Sequence, residues 1–180
     1  MRRWSLLALL LLALSACASR GPSGDAHLGD YVGGRVAVEC APFARALSGV
    51  RLSGSAADWW GQAAGRYDRG EAPSVGSVLV LRRSGRLPSG HVAVVSQVLG
   101  ERQILVTQAN WVHHRVTADQ PVIDISPDND WSLIRLWWPP SGQMGITDYP
   151  AYGFIRAARP MTHDQIAAAT PRAVRLAASE

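Results

Sequence analysis

Between Ser77 and Trp138 the chain carries four apolar, β-branched runs: Ser77–Arg82, Val92–Leu99, Ile104–Ala109 and Ser132–Trp138. Gly, Pro or turn residues such as Gly100-Glu101 separate them, and runs of this length and composition read as strands. They follow one another closely. A parallel pair needs a crossover of about a dozen residues or more, so the spacing predicts an antiparallel sheet. Phe154-Ile155 is expected to add a short edge. Helical patterns precede these strands, and helices first with strands later is an α+β order. At 180 residues the chain has the length of one ordinary domain with a core of its own.

One residue fixes the first helix. Val36 to Ser48 leads into the domain, and Phe43, Ala44 and Leu47 are apolar at helical spacing. Pro42 is tolerated in a helix only within the first turn, which places Cys40 at the helix N-terminus and Gly49 near its end. Ser55-Ala56-Ala57-Asp58 opens a second helix with a capping-type pattern, running through Trp59-Trp60 to about Gly65. Arg66 to Gly76 reads as a loop. After Pro160, Thr162-His163-Asp164-Gln165 suits a cap for an Ala-rich helix, but Pro171 interrupts the pattern. Residues 161–180 are therefore expected to be a marginal helix or a disordered tail.

The first residues read as a targeting segment. Arg2-Arg3 precede an apolar run, Leu6 to Leu14, too short to span a bilayer, which takes about 20 apolar residues. Leu14-Ser15-Ala16-Cys17 then resembles a bacterial lipobox, in which cleavage before the Cys exposes a thiol for diacylation. An ordinary signal peptide cut after Ala16 or Ala18 is the alternative. The predicted division is a lipoprotein signal peptide at 1–16, a flexible Gly/Ser/Pro-rich tether at 17–31 and a catalytic domain at 32–160. The protein is then expected in the bacterial cell envelope, lipid-anchored at Cys17 and facing the periplasm, on the outer membrane in preference to the inner. All 18 basic residues are Arg, and the formal charge of +4 includes Arg2 and Arg3, leaving +2 in the mature chain. That charge is weak and scattered, and no basic cluster alternates with stacking aromatics, so nucleic acid is not an expected partner. A monomer is expected.

Cysteine counting bears on chemistry. There are two Cys residues. If Cys17 carries lipid, Cys40 has no disulfide partner, and a single Cys kept in an oxidising compartment is a candidate nucleophile. A buried inert thiol and a Cys17–Cys40 disulfide are the other readings. A helix N-terminus favours the thiolate through its dipole and unpaired N–H groups, and the same groups can bind an oxyanion. His91 follows Gly90 and starts the strand Val92-Ala93-Val94-Val95. It shares a face with Ala93 and Val95, a rigid seat for a general base. Gln108 and Asn110 share a face if their strand continues, and one of them can orient the imidazole; Asn110 is taken for that role.

These residues resemble the CHAP domain, the cysteine- and histidine-dependent amidohydrolases and peptidases. The resemblance rests on Glu39-Cys40-Ala41-Pro42-Phe43-Ala44-Arg45, on Gly90-His91-Val92-Ala93-Val94-Val95 and on Gln108-Ala109-Asn110-Trp111, and covers about Val32 to Trp138. It implies a papain-like α+β fold, with N-terminal helices packed on an antiparallel sheet. It also implies hydrolysis of a peptide or amide bond of peptidoglycan without a cofactor, with Cys40, His91 and Asn110 catalytic. Glu39, Gln108 and Trp111 are expected to support the site or bind substrate. Two positions depart from the family pattern: Glu39 stands where many members have Gln, and Gln108 where many have Glu. A catalytically weak or inactive wall-binding or scaffold lipoprotein on the same fold is the alternative function, and acyl transfer to an amine instead of water uses the same residues.

Other features have plainer readings. Most of the tryptophans are assigned to the core. His113-His114 lack a carboxylate or Cys at ligand spacing, and no metal is expected. Asp124, Asp128 and Asp130 fit turn and cap roles, with Asp124 kept in view as a support for the site.

Overall fold

The computed structural model describes residues 28–156 and 159–180. The leader, the lipobox with Cys17 and most of the tether lie outside the described residues. The elements in chain order are α1 (Cys40–Ser48), a 3-10 turn (Ala56–Asp58) continuing into α2 (Trp59–Gln62), β1 (Arg69–Gly70), β2 (Val78–Leu81), β3 (His91–Gly100) and β4 (Gln103–Ala109). They continue with β5 (Val116–Asp124), β6 (Leu133–Trp138), a 3-10 turn (Pro139–Ser141), β7 (Gln143–Met144), β8 (Tyr149–Ile155) and α3 (His163–Ala177). Among the described residues no helix is long and apolar enough to cross a membrane.

All strand pairings are antiparallel, and the sheet closes. Six strands form a barrel in the order β2-β3-β4-β5-β6-β8, sealed where β8 pairs with β2 and also with β6 through Leu133↔Pro150 and Ile134↔Tyr149. The sequence predicts helices on an antiparallel sheet, and both are present; the closure is not foreseen. It depends on β8, where only Phe154-Ile155 looks like a strand. The rest of β8, Tyr149-Pro150-Ala151-Tyr152-Gly153, holds a Pro and a Gly that pattern reading counts against a strand.

Closure creates two apolar layers. Leu79, Leu81, Ala93, Val95, Ile104, Val106, Val122, Ile134, Leu136 and Phe154 fill the barrel. The alternate residues Val78, Val80, Val92 and Val94 face outward and pack with Phe43, Leu47, Trp59, Ile166 and Ala173 under the helices. β2 is therefore buried at every position, as is β3 from His91 to Ser96. A strand covered on both faces reads as a continuous apolar run, which is why these two are plain in the sequence.

Three further features go beyond the sequence reading. β5 is missed because Asp119, with φ of 50°, and Pro121 interrupt its pattern, although Pro121 sits in register opposite Leu105. The expected tether reaches too far. Gly29 N–H donates to the Asp119 carbonyl at 3.0 Å, Val32 N–H to Val116 at 2.8 Å, and Tyr31 bridges Thr117, so residues 29–32 cover the part of β5 that β6 does not pair. An uncovered edge of that kind invites pairing with another chain. The tail, last, is a 15-residue helix. Thr162 and Gln165 form a reciprocal capping box, and Ile166, Thr170, Ala173 and Ala177 bury one stripe. Pro171 lies on the exposed side of α3, where water can satisfy the carbonyl it leaves unpaired. Arg45 in the last turn of α1 pairs with Glu180, tying the two helices at that end.

Candidate active site

Cys40 is the first residue of α1 and is half-buried. Glu39 occupies the N-cap position in extended conformation but makes no side-chain cap, and Pro42 has no N–H. First-turn N–H groups have no partner within a helix, so the Cys40 and Ala41 amides are left as donors beside the sulfur. The helix ends at Gly49, whose φ of 75° is the left-handed cap that a Cβ disfavours.

His91 opens β3, only 4% exposed. Gly90 sets its position. With φ of 72°, it lets the chain turn so closely past the second helical segment that a Cβ would lie 2.6 Å from the Ala57 Cβ and 2.7 Å from the Leu81 carbonyl oxygen. The His91 Nε2 lies 2.7 Å from Gln108 Oε1. Since an amide oxygen only accepts, Nε2 carries a proton and donates it, which leaves Nδ1 as the ring nitrogen available to the neighbouring Cys40 thiol.

The charges of this pair follow from its setting. Burial pushes the Cys40 thiol up, but the charge of His91, its hydrogen bond and the Val92 N–H outweigh burial, and the thiol ends below its ordinary value despite an opposing push from Glu39. Burial pushes His91 down. The Cys40 charge and hydrogen bond, the Gln108 bond and the Glu39 charge together hold it above its ordinary value. The arrangement favours a thiolate–imidazolium pair. Glu39 thus acts in both directions, against the thiolate and for the imidazolium.

Gln108, not Asn110, is the side chain that the structure places on the imidazole. β4 stops at Ala109, and Asn110 turns away in the left-handed region with φ of 58°. Its side chain donates to Glu39 Oε2 at 2.8 Å and accepts from His114 N–H at 3.0 Å, so it braces the start of α1 and the following turn, not the imidazole. Gln108, on the strand and 1% exposed, is the residue on His91. The signal for this was present: Asn is among the residues most tolerant of left-handed backbone, so a strand ending in Asn is apt to turn at that residue. Trp111 packs edge-on against His91, with ring centroids 5.1 Å apart, and against Tyr149 at the same distance.

A cleft of about 530 Å³ lies over the pair, between Glu39–Pro42, Gly54–Ala56, the loop Arg86–Gly90 and Asn110. Arg86, one of its charged linings, carries no chemical signal in the sequence and is missed there. Asp124 is placed elsewhere. It sits at the end of β5 paired near Gln103, the opposite end of β4 from Gln108, where it accepts from Ser126 and pairs with Arg102. Among the described residues no group of three His, Cys, Asp or Glu side chains is placed to hold a metal ion, and His113 and His114 stack on each other.

Residues 29–110 match the family model of the CHAP domain. Over that stretch the chain is similar to CHAP domains. The match begins where the N-terminal segment docks on β5 and ends at Asn110, so it takes in Cys40, His91 and Gln108, while β5 to β8 and α3 lie beyond it. The family is one of hydrolases and peptidases, and peptidoglycan is the substrate it suggests. No curated protein matches the chain.

Proposed function

We propose that this protein is a peptidoglycan hydrolase that cleaves a peptide or amide bond with Cys40 as nucleophile. The observation that carries this reading is the Cys40–His91–Gln108 alignment: a thiol at a helix N-terminus, an imidazole on its one side and an amide oxygen fixing the other ring nitrogen. In the first step the thiolate attacks the carbonyl carbon, and the Cys40 and Ala41 N–H groups stabilise the oxyanion. The imidazolium gives its Nδ1 proton to the departing amine as the C–N bond breaks, leaving a thioester. His91 then takes a proton from water, the resulting hydroxide attacks the thioester, and the acid and the thiolate are released. Gln108 holds the ring throughout, so the orienting role passes to it from Asn110.

The lipobox-like Leu14-Ser15-Ala16-Cys17 supports a lipid anchor at Cys17 and a site of action in the cell envelope facing the periplasm, on the outer membrane in preference to the inner. The test is digestion of purified peptidoglycan by the wild-type protein and by Cys40→Ala, with soluble products identified by mass. Fragments are expected from the first and none from the second. Equal digestion by both would end this reading. Glu39 beside the thiol favours a second one, a weak or inactive wall-binding protein on the same domain. Thiol alkylation separates the two: rapid reaction near neutral pH belongs to an active site and slow reaction to an inert Cys.

A further inference from the structure

A second hollow, of about 340 Å³, adjoins the cleft, walled by Trp111, Trp138, Met144, Ile146 and Tyr149. Arg86 lines both, and the His91–Trp111 edge contact joins the wall of one to the wall of the other. The rim of the second hollow is apolar and open: Ile146 is 91% exposed and Trp138 41%. No carboxylate lines it among the described residues, and Asp148, next in sequence to its Thr147 and Tyr149, is bonded to Arg135 at 2.6 Å.

Three arginines stand on the loop between β2 and β3, and two are engaged. Arg82 donates to the Ala151 carbonyl at 2.9 Å and lies over Tyr152, while Arg83 makes a two-point ion pair with Asp58 at 2.8 and 3.0 Å. Arg86 has no ion pair or side-chain hydrogen bond among the described residues, and it is the one at the junction. Its backbone is fixed. Ser84 and Leu87 close a turn around it, Ala57 N–H holds the Ser89 carbonyl at 3.0 Å, and Gly90 N–H bonds Leu87 at 2.9 Å. The cleft's only carboxylate among the described residues, Glu39, is held by Asn110. A planar guanidinium on a rigid turn, with its own acid partner missing, suits a carboxylate brought by the substrate.

Resting on the hydrolase reading above, we propose that Arg86 binds a free carboxylate of the substrate peptide next to the scissile amide, and that the aromatic hollow beyond holds the adjoining segment. The substrate class is thereby narrowed to peptides with an unamidated carboxyl group at that point. The test uses the full chain with Cys40→Ala, so that binding is measured without turnover. Calorimetric titration compares a soluble muropeptide carrying free carboxylates with the same muropeptide amidated. The free acid is expected to bind about tenfold more tightly. Arg86→Gln should abolish that preference and Arg86→Lys should keep part of it, while the intact circular dichroism spectrum of each shows that the fold is retained. Equal binding of the two muropeptides, binding of neither, or a preference that survives Arg86→Gln would overturn the assignment. Wild-type digestion, run in parallel, reports on hydrolysis separately: digestion without carboxylate preference sinks Arg86 alone, and preference in binding without digestion sinks the hydrolase alone.

Discussion

His91 is held by Gln108 at one ring nitrogen and neighbours Cys40, and in the proposed mechanism each controls a different part of the chemistry. Cys40 makes the ion pair; Gln108 on Nε2 decides the orientation and the tautomer. A lowered Cys40 and a raised His91 both favour coexistence of thiolate and imidazolium, and in the proposed reaction the alkaline limit of kcat/KM is set by loss of the imidazolium. Gln108 contributes to that limit as a neutral acceptor. Gln108→Glu places a negative charge there, which raises His91 further and moves the alkaline limb to higher pH. Gln108→Leu removes a contact that raises His91, so the limb moves to lower pH and kcat falls by about tenfold or more. Asn110→Ala should leave the limb in place and cost about 1–2 kcal/mol of stability through its two lost bonds. A pH–rate profile of the three variants decides the matter: an unmoved limb in Gln108→Leu would show that Gln108 does not govern the imidazole. The sequence names the pair Gln108 and Asn110 but not their division of labour, because parity along a strand holds only while the strand lasts. Gln108 Nε2 is also buried without a partner, which is the cost of an amide where a carboxylate would have two acceptors and no orphan donor.

At the scale of elements, α1 is the part that was most legible. Pro42 and Gly49 bracket it, and its boundaries follow from backbone chemistry alone. α3 is the counterexample, since Pro171 weighs against it in local reasoning while packing decides for it. Its buried stripe rests on α1 and the outer face of β3, so α3 braces the helix that carries Cys40. His163 at its first turn adds a contact to Asp119, 3.1 Å away, which also accepts from Ser96. Ile166, 1% exposed, should therefore matter more than Pro171, which lies in water. Ile166→Ala is expected to lower stability by about 2–4 kcal/mol, and Pro171→Ala to raise it by about 1–3 kcal/mol by restoring a helix hydrogen bond. Urea titration measures both. A destabilised Pro171→Ala would mean that the proline fixes a local shape that the packing needs.

The whole molecule poses a question that the family match sharpens. Residues 29–110 contain Cys40, His91 and Gln108, yet they supply only β2, β3 and β4 of the six barrel strands. In that segment Leu79, Leu81, Ala93, Val95, Ile104 and Val106 face a core whose other half comes from Val122, Trp131, Ile134, Leu136 and Phe154. Without β8, β2 loses a neighbour along its full length; without β5, so does β4. The site depends on the missing half as well, because Trp111 rests on both His91 and Tyr149 of β8. These are long-range pairings, which single-sequence periodicity does not report, and this is why the strands were legible and their closure was not. A chain ending at Asn110 should then retain the family match and lose the fold. The expected behaviour is loss of the near-ultraviolet tryptophan signal, binding of a hydrophobic dye and no cooperative transition in urea, since half of one barrel leaves its interior in water. Cys40 in that fragment should alkylate as an ordinary thiol, because nothing would hold His91 against it. A cooperative transition with a reactive Cys40 in the fragment would show instead that the helices and three strands form a self-sufficient catalytic unit, and that barrel closure serves the neighbouring hollow alone.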